Sequence, residues 1–129
     1  MQYLTEEELL VIHARLIDET GGSHGVRELN LFASIIEKPK MAFGGKELYP
    51  TVFAKAAVYV ESIARFYVFI DGNKRTSITA AARFLFLNQY NLVASNMDIE
   101  TYVLEIATGR HELKAIAAWL KKHSRKIKK

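Results

Sequence analysis

The chain has no cysteine and only two prolines among its 129 residues. The lack of cysteine excludes disulfide bonds, thiolate metal sites and a cysteine nucleophile. The sequence also lacks a run of about 18 apolar residues, the length that a membrane-spanning helix needs. Its first residues include Glu6, Glu7 and Glu8, where a secretory signal would be basic and then apolar. We therefore expect a cytoplasmic protein without a membrane segment.

The composition is that of a soluble globular domain, with 50% apolar and 25% charged residues. No repeat or flexible linker divides the chain. The net charge of +4 comes from the C-terminus, because residues 121–129 contain six Lys and Arg residues and no acid. We predict a domain over residues 1–120 and a solvated, frayed basic tail over residues 121–129, so that direct nucleic-acid binding is not expected.

Hydrophobic residues recur mostly at helical spacing. Thr5 and Glu8 predict a capping box for a helix that continues to about Glu19. Pro50 is expected in the first turn of a long helix to about Phe66. Further helices are predicted at about 28–37, 74–89, 98–108 and 112–123, with a short strand at about 92–94.

The two long helices carry the alanines at positions 54, 56, 57, 64, 80, 81 and 82, whose small side chains let helices approach closely. The sequence therefore predicts an all-α fold, a single bundle of roughly six helices around two central helices. Residues 38–49 are predicted as a loop, because Pro39 and two glycines break regular structure. We expect three apolar residues to hold this loop against the body: Phe43, Leu48 and Tyr49.

The junction between the two central helices is where we expect a ligand-binding site. Residues 71–73, Asp-Gly-Asn, predict a turn at the start of a helix, where unpaired N–H groups and the positive end of the helix dipole face the loop. Lys74 and Arg75 add two cations, and Gly72 lets the backbone approach a ligand. These features favour a phosphate site, although the P-loop spacing is absent.

Asp71 has two interpretations. Beside a bound phosphate, its carboxylate suits Mg²⁺, which prefers oxygen ligands and often uses one or two carboxylates together with phosphates. Alternatively, Asp71 caps the following helix and pairs with Arg75, as Asp-Gly-Asn sequences commonly do. Phe69 is expected to anchor the loop in the core.

Residues 67–75 resemble the signature of the Fic/Doc family, His-x-Phe-x-(Asp/Glu)-(Gly/Ala)-Asn-(Gly/Lys)-Arg. Tyr67 occupies the position of the motif histidine, and six residues match in register: Phe69, Asp71, Gly72, Asn73, Lys74 and Arg75. The resemblance extends to the Doc (death-on-curing) branch over nearly the whole chain. It includes residues 4–13, 23–28, 43–45, 49–50 and 119–120.

The resemblance implies the toxin of a type II toxin–antitoxin system. Such a toxin is an ATP-dependent phosphotransferase that acts on a threonine of elongation factor Tu and blocks translation. ATP would be the substrate and Mg²⁺ the cofactor. Residues 38–49 occupy the place of the family's target-binding flap. A self-inhibitory pattern is missing, because Thr101 and Glu105 are followed by Ile106. The implied partner is therefore a separate Phd-like antitoxin.

The resemblance also assigns roles to the turn. Asp71 would hold Mg²⁺ or orient the acceptor, and the position of Tyr67 is that of the proton-accepting histidine. Lys74 and Arg75 would act on the transferred group as well as bind it. The implied phosphate-binding residues are Gly72, Asn73, Lys74, Arg75 and Thr76.

Tyr67 departs from the family pattern at the general base. A phenol has a pKa near 10, so only about one in a thousand is ionised at pH 7, and loss of a general base typically costs about 10²–10⁴ in rate. Three interpretations remain open. The substitution abolishes toxicity, whether natural or engineered; activity survives with an altered base; or the chain has become a binding module. We expect an inactive or weakened enzyme.

The alternatives to a phosphotransferase are an AMP-transferring Fic enzyme and a non-catalytic module that binds nucleotide or antitoxin. The other histidines do not replace the missing base. We expect a packed or surface position for His13, a loop position for His24, and exposed positions for His111 and His123. None of them has metal-ligand spacing.

Overall fold

The computed structural model describes residues 1–128. Within them it has six α-helices: α1 (Glu6–Thr20), α2 (Leu29–Glu37), α3 (Val52–Phe66), α4 (Asn73–Leu87), α5 (Asn96–Ala107) and α6 (Leu113–Lys122). Four strands of two or three residues form two antiparallel pairs: β1 (Ala42–Phe43) with β2 (Lys46–Glu47), and β3 (Tyr90–Leu92) with β4 (Ser124–Lys126). The predicted all-α fold is confirmed. None of the helices in the described residues is long and apolar enough to cross a membrane.

Helices α3 and α4 form the centre of the bundle, as predicted. α5 and α6 pack against α3, while α1 packs against α4. Alanine allows the close approach of the central pair. The alanines at positions 56, 57, 64, 80 and 81 are fully buried.

The N-termini of α1 and α3 are set by threonine caps. The Thr5 hydroxyl accepts a hydrogen bond from the Glu8 amide at 3.1 Å, and Glu8 accepts one from the Thr5 amide, which confirms the capping box. At α3, the Thr51 hydroxyl accepts from the Ala54 amide at 3.0 Å. The prediction that Pro50 lies in the first turn is wrong, because Thr51 is the cap and Pro50 precedes it.

Residues 42–47 form a hairpin that is held by a polar contact and not by apolar side chains. Phe43 is 82% exposed and Leu48 is 49% exposed, so the prediction that they hold this segment is wrong for these two residues, whereas Tyr49 is half-buried. Instead, Lys55 of α3 is fully buried beneath the hairpin. Its Nζ donates to a carboxylate oxygen of Glu47 at 2.9 Å and to the Pro39 carbonyl at 3.0 Å.

The C-terminus is ordered further than its charge suggested. Lys121 and Lys122 complete α6, and β4 pairs with β3 in the register Tyr90–Lys126 and Leu92–Ser124. The prediction of a frayed tail is therefore wrong for residues 121–126. The β3 strand begins two residues before the segment predicted at 92–94.

Two histidines near the C-terminus are half-buried, contrary to the prediction that they are exposed. His111 Nε2 lies 2.7 Å from a Glu105 carboxylate oxygen, and His123 Nδ1 donates to the Trp119 carbonyl at 2.8 Å. Both rings flank the stacked pair of Tyr102 and Trp119. Sequence spacing could not show this burial, because it arises from the packing of α5 against α6.

Candidate active site

The site begins where α3 ends. Tyr67 is the C-cap of α3 and adopts the left-handed conformation, with φ 51° and ψ 53°. The Arg27 guanidinium donates from Nε to the Tyr67 carbonyl at 2.6 Å and from Nη2 to the Phe66 carbonyl at 3.1 Å. A cation here satisfies carbonyls that a helix end leaves unpaired. Arg27 thus fixes the backbone at Tyr67. Tyr67 itself is 51% exposed.

The turn after Tyr67 is closed by one side chain. Asn73 Oδ1 accepts a hydrogen bond from the Phe69 amide, and its Nδ2 donates to the Phe69 carbonyl, both at 2.9 Å. Asn73 is only 7% exposed, and the Phe69 ring is buried in the core as predicted. The Asn73 side chain is therefore a structural clasp, and its backbone N–H is the group left to face a phosphate.

The start of α4 is open. Gly72 is the N-cap with φ 73°, and within the described residues no side chain caps the helix. The first intrahelical bond runs from the Thr76 amide to the Gly72 carbonyl at 3.0 Å. The preceding N–H groups, at residues 73–75, thus lie at the positive end of the helix without an intrahelical acceptor.

Thr76 does not fit its predicted role as a phosphate ligand. Its amide is bonded to Gly72, and its side chain is completely buried. Its hydroxyl oxygen has no hydrogen-bond partner in the part of the chain that the structure describes. Because Thr76 lies one turn inside α4, it faces the core, whereas Lys74 and Arg75 are exposed.

Asp71 accepts hydrogen bonds from two backbone amides. Its Oδ1 accepts from the Gly72 amide at 2.9 Å and its Oδ2 from the Ser23 amide at 3.3 Å. Asp71 therefore does not cap α4, and among residues 1–128 it forms no ion pair with Arg75. The alternative interpretation of Asp71 from the sequence is thus wrong in both parts.

The exposed carboxylate of Asp71 fits a magnesium ion that is shared with phosphate. Each of its oxygens keeps a lone pair after accepting one bond. Over residues 1–128, no group of three His, Cys, Asp or Glu residues could enclose a metal by itself. A single carboxylate with phosphate oxygens and water is the arrangement that Mg²⁺ uses in nucleotide sites, whereas Zn²⁺ would need more protein ligands.

Two clefts meet at Lys74 and Arg75. The first, of about 280 Å³, lies over the start of α4 and is lined by Thr20, Gly21 and residues 71–75. The second, of about 330 Å³, lies between α4 and α5, with Glu100 at its edge and four apolar lining residues: Ile78, Ile99, Val103 and Leu104. Both cations are exposed, and both line both clefts. Tyr67 does not line either of these two clefts.

The structure adds three residues that the sequence reasoning did not assign to the site. Ser23 and Arg27 lie in the segment between α1 and α2 and contact the site. This segment runs alongside the turn and pairs with it through an antiparallel β-bridge between Val26 and Phe69. No local sequence pattern predicts these contacts. His13 approaches from α1, where its spacing from Leu9 and Ile17, four residues on either side, was the available signal.

An open helix start with two cations and one carboxylate, at the centre of an all-α bundle, is an arrangement that suits an anion. The chain belongs to the Fic/DOC family, whose model matches residues 3–85. It is similar to Toxin Doc of Mycolicibacterium smegmatis, with 34% identity over 122 residues that cover 92% of this chain and 91% of the relative. It is also similar to Protein kinase doc of Escherichia phage P1, with 27% identity over 122 residues and 95% of each chain covered. The resemblance inferred from the sequence is confirmed.

Proposed function

We propose that this chain is the toxin of a type II toxin–antitoxin system and that its site serves transfer of a phosphoryl group from ATP to a threonine hydroxyl of elongation factor Tu. The observation that carries the proposal is the cleft in which the open start of α4, Lys74 and Arg75 converge beside Asp71. The names of two relatives, a toxin and a protein kinase, support it.

The phosphate chain of ATP fits the cleft over α4. The N–H groups of residues 73–75 would donate to phosphate oxygens, and Lys74 and Arg75 would add charge-assisted hydrogen bonds. The apolar cleft that shares these two cations suits the nucleoside, because a flat ring buries apolar surface there while its phosphates stay at the helix start.

Asp71 would hold Mg²⁺ through one carboxylate oxygen, with phosphate oxygens as the other ligands. When bound, the ion neutralises part of the charge on the phosphates. The amides of Gly72 and Ser23 keep the Asp71 carboxylate at the edge of the cleft without neutralising it.

Tyr67 limits the transfer step. The acceptor oxygen would bond to the terminal phosphorus, the bond from that phosphorus to the bridging oxygen would break, and ADP would leave. The hydroxyl proton must pass to a base, and a neutral phenol has no basic site. An imidazole at position 67 would accept this proton. We therefore infer that the chain with Tyr67 binds ATP and transfers phosphate slowly or not at all.

The non-catalytic module is the second candidate, and the same residue favours it. The cations and open amides are intact, while Tyr67 stands at the base position. Such a module would bind ATP, or a Phd-like antitoxin, without turnover. The proposal that the antitoxin is a separate chain rests on the missing self-inhibitory pattern around Glu105.

The transfer activity is tested with the Tyr67→His variant, elongation factor Tu and ATP labelled at either the γ- or the α-phosphate. We expect γ-label on elongation factor Tu at a rate about 10²–10⁴ above that of the unchanged chain. Tyr67→Phe is the matched control and gains nothing. Transfer of α-label instead would identify AMP transfer. ATP binding without any transfer by Tyr67→His would favour the binding module.

The phosphate site is tested by calorimetry with ATP and Mg²⁺. Replacing Lys74 and Arg75 together by alanine should weaken ATP binding about 10- to 100-fold, because several charge-assisted hydrogen bonds are lost. A variant with Lys121 and Lys122 replaced by alanine removes the same charge at the end of α6 and should bind normally. Equal weakening in both variants would reduce the effect to net charge and contradict the assigned site.

A further inference from the structure

His13 lies directly beneath the turn that carries the site. It is 3% exposed and belongs to the buried face of α1, between Leu9 and Ile17. The turn approaches this face closely. A Cβ on Gly72 would lie 3.0 Å from Ile17 Cδ1 and 3.9 Å from the His13 ring, so the Ile17 side chain would have to shift slightly to admit it.

His13 contacts the turn in two ways at once. Its ring stacks on the Phe69 ring, with centroids 3.9 Å apart and an angle of 7° between the planes. Its Nε2 lies 2.8 Å from the Asp71 carbonyl oxygen. The ring therefore fixes both a side chain and a peptide group of the segment between α3 and α4.

The hydrogen bond determines the tautomer of His13. A carbonyl oxygen only accepts, so Nε2 must carry the proton and donate it. The Asp71 carbonyl belongs to the peptide whose N–H, at Gly72, donates to the Asp71 carboxylate. One peptide plane is thus held by His13 on its carbonyl side and by Asp71 on its amide side.

We propose that His13 is a positioning residue: its Nε2–H holds the peptide between Asp71 and Gly72, and thereby sets the Asp71 carboxylate and the open start of α4 relative to each other. A packed histidine needs only the stacking contact. The hydrogen bond that His13 donates to the Asp71 carbonyl goes beyond what packing requires. It links α1 to the geometry of the cleft over the start of α4.

Two substitutions separate packing from positioning. His13→Phe retains a ring against Phe69 and removes the donor. His13→Gln lacks the ring but keeps an N–H donor, because the Gln amide nitrogen is as many bonds from Cβ as Nε2 of histidine is. His111→Phe is the control, since His111 is also a stacked histidine with a polar partner but belongs to α5 and α6 packing.

The first measurement uses the ligand-free protein and nuclear magnetic resonance. The His13 ring should be the Nε2–H tautomer when neutral. In His13→Phe, the amide signals of residues 71–75 should shift and their hydrogen exchange should accelerate about tenfold, an estimate based on one lost hydrogen bond. His13→Gln should restore most of both. An Nδ1–H tautomer, or unchanged signals of residues 71–75 in His13→Phe, would overturn the proposal.

The second measurement rests on the proposed function and uses ATP with Mg²⁺. His13→Phe should bind ATP about fivefold to tenfold more weakly, while His13→Gln and His111→Phe should remain near the unchanged chain. If the unchanged chain binds no ATP, the proposed function fails, and the tautomer and exchange data still decide the role of His13. If it binds ATP and His13→Phe binds equally well, the positioning role is wrong. If His13→Phe does not fold, the ring tautomer and the His13→Gln data decide.

Discussion

At the scale of the residue, Asn73 uses both polar ends of its side chain on one neighbouring peptide. The two bonds to Phe69 close the turn that leads from α3 into α4. An aspartate of the same shape would lack the donor, and a shorter side chain would not reach. The residue type at this motif position is thus required for the turn itself, which then presents the backbone amides that follow.

Asn73→Ala should lower the free energy of unfolding by about 2–4 kcal/mol, because it leaves the buried amide and carbonyl of Phe69 unpaired. Urea unfolding measures this loss. Asn96→Ala, at the exposed first position of α5, is the matched control and should change the free energy by less than about 0.5 kcal/mol. If Asn73→Ala lowers the free energy of unfolding by no more than the control does, the turn forms without the Asn73 side-chain bonds.

At the scale of the element, the segment before α1 is connected to α3 through Tyr59. The Leu4 amide donates to the Tyr59 hydroxyl oxygen at 3.3 Å, and both residues are buried. Burial raises the pKa of Tyr59 to about 12, because the phenolate would lose its hydration. Burial therefore favours the neutral phenol, and it outweighs the Leu4 N–H bond, which by itself lowers the pKa of Tyr59.

The raised pKa of Tyr59 predicts a loss of stability in alkali. Below pH 10 the tyrosine is neutral in both states, and its contribution is complete. Between about pH 10 and 12 the unfolded chain releases the proton before the folded one does, so the free energy of unfolding falls by roughly 2–3 kcal/mol.

Urea unfolding at pH 8, 10 and 11.5 checks this dependence. Tyr59→Phe should be less stable by about 1 kcal/mol at pH 8, where it leaves the Leu4 amide unpaired. It should lose less stability than the unchanged chain on going to pH 11.5. The half-buried Tyr49, replaced by phenylalanine, provides the control. Parallel curves for the unchanged chain and Tyr59→Phe would contradict the raised pKa.

At the scale of the whole molecule, the described segment after α6 is part of the fold. β4 pairs with β3, and two further backbone bonds extend the ladder, from Val93 to His123 at 2.6 Å and from Ile127 to Gln89 at 2.8 Å. This ladder fastens the segment after α6 to the end of α4. The basic residues there are solvated on their side chains while their backbone is paired.

Removal of residues 124–129 should therefore lower the melting temperature by about 5–10 °C, since the ladder contributes a few hydrogen bonds to a domain of this size. Removal of residues 128–129 alone is the control and should have little effect, because Ile127 makes the last ladder bond within residues 1–128. Differential scanning calorimetry measures both. An unchanged melting temperature for the longer deletion would indicate that the tail is frayed after all.

The six helices, the central pair and the turn at 67–76 were predictable from the sequence, because they depend on local patterns. Helical spacing, threonine and glutamate caps, alanine at close contacts and an Asp-Gly-Asn turn act within a few residues of one another. The family followed from six motif residues in register, and the model match and relatives confirm it.

Which polar atoms of the turn are available to a ligand was not predictable from the sequence, because it depends on packing. Asn73 and Thr76 were both expected to bind phosphate, yet the Asn73 side chain is bonded to Phe69 and the Thr76 side chain is buried. Asp71 is held by the distant Ser23 amide and its peptide by His13, 58 residues away in sequence. The pairing of β4 and the burial of Lys55 depend in the same way on residues far apart in the chain. Such groups meet only when the helices pack, and no local sequence pattern predicts which of them come into contact.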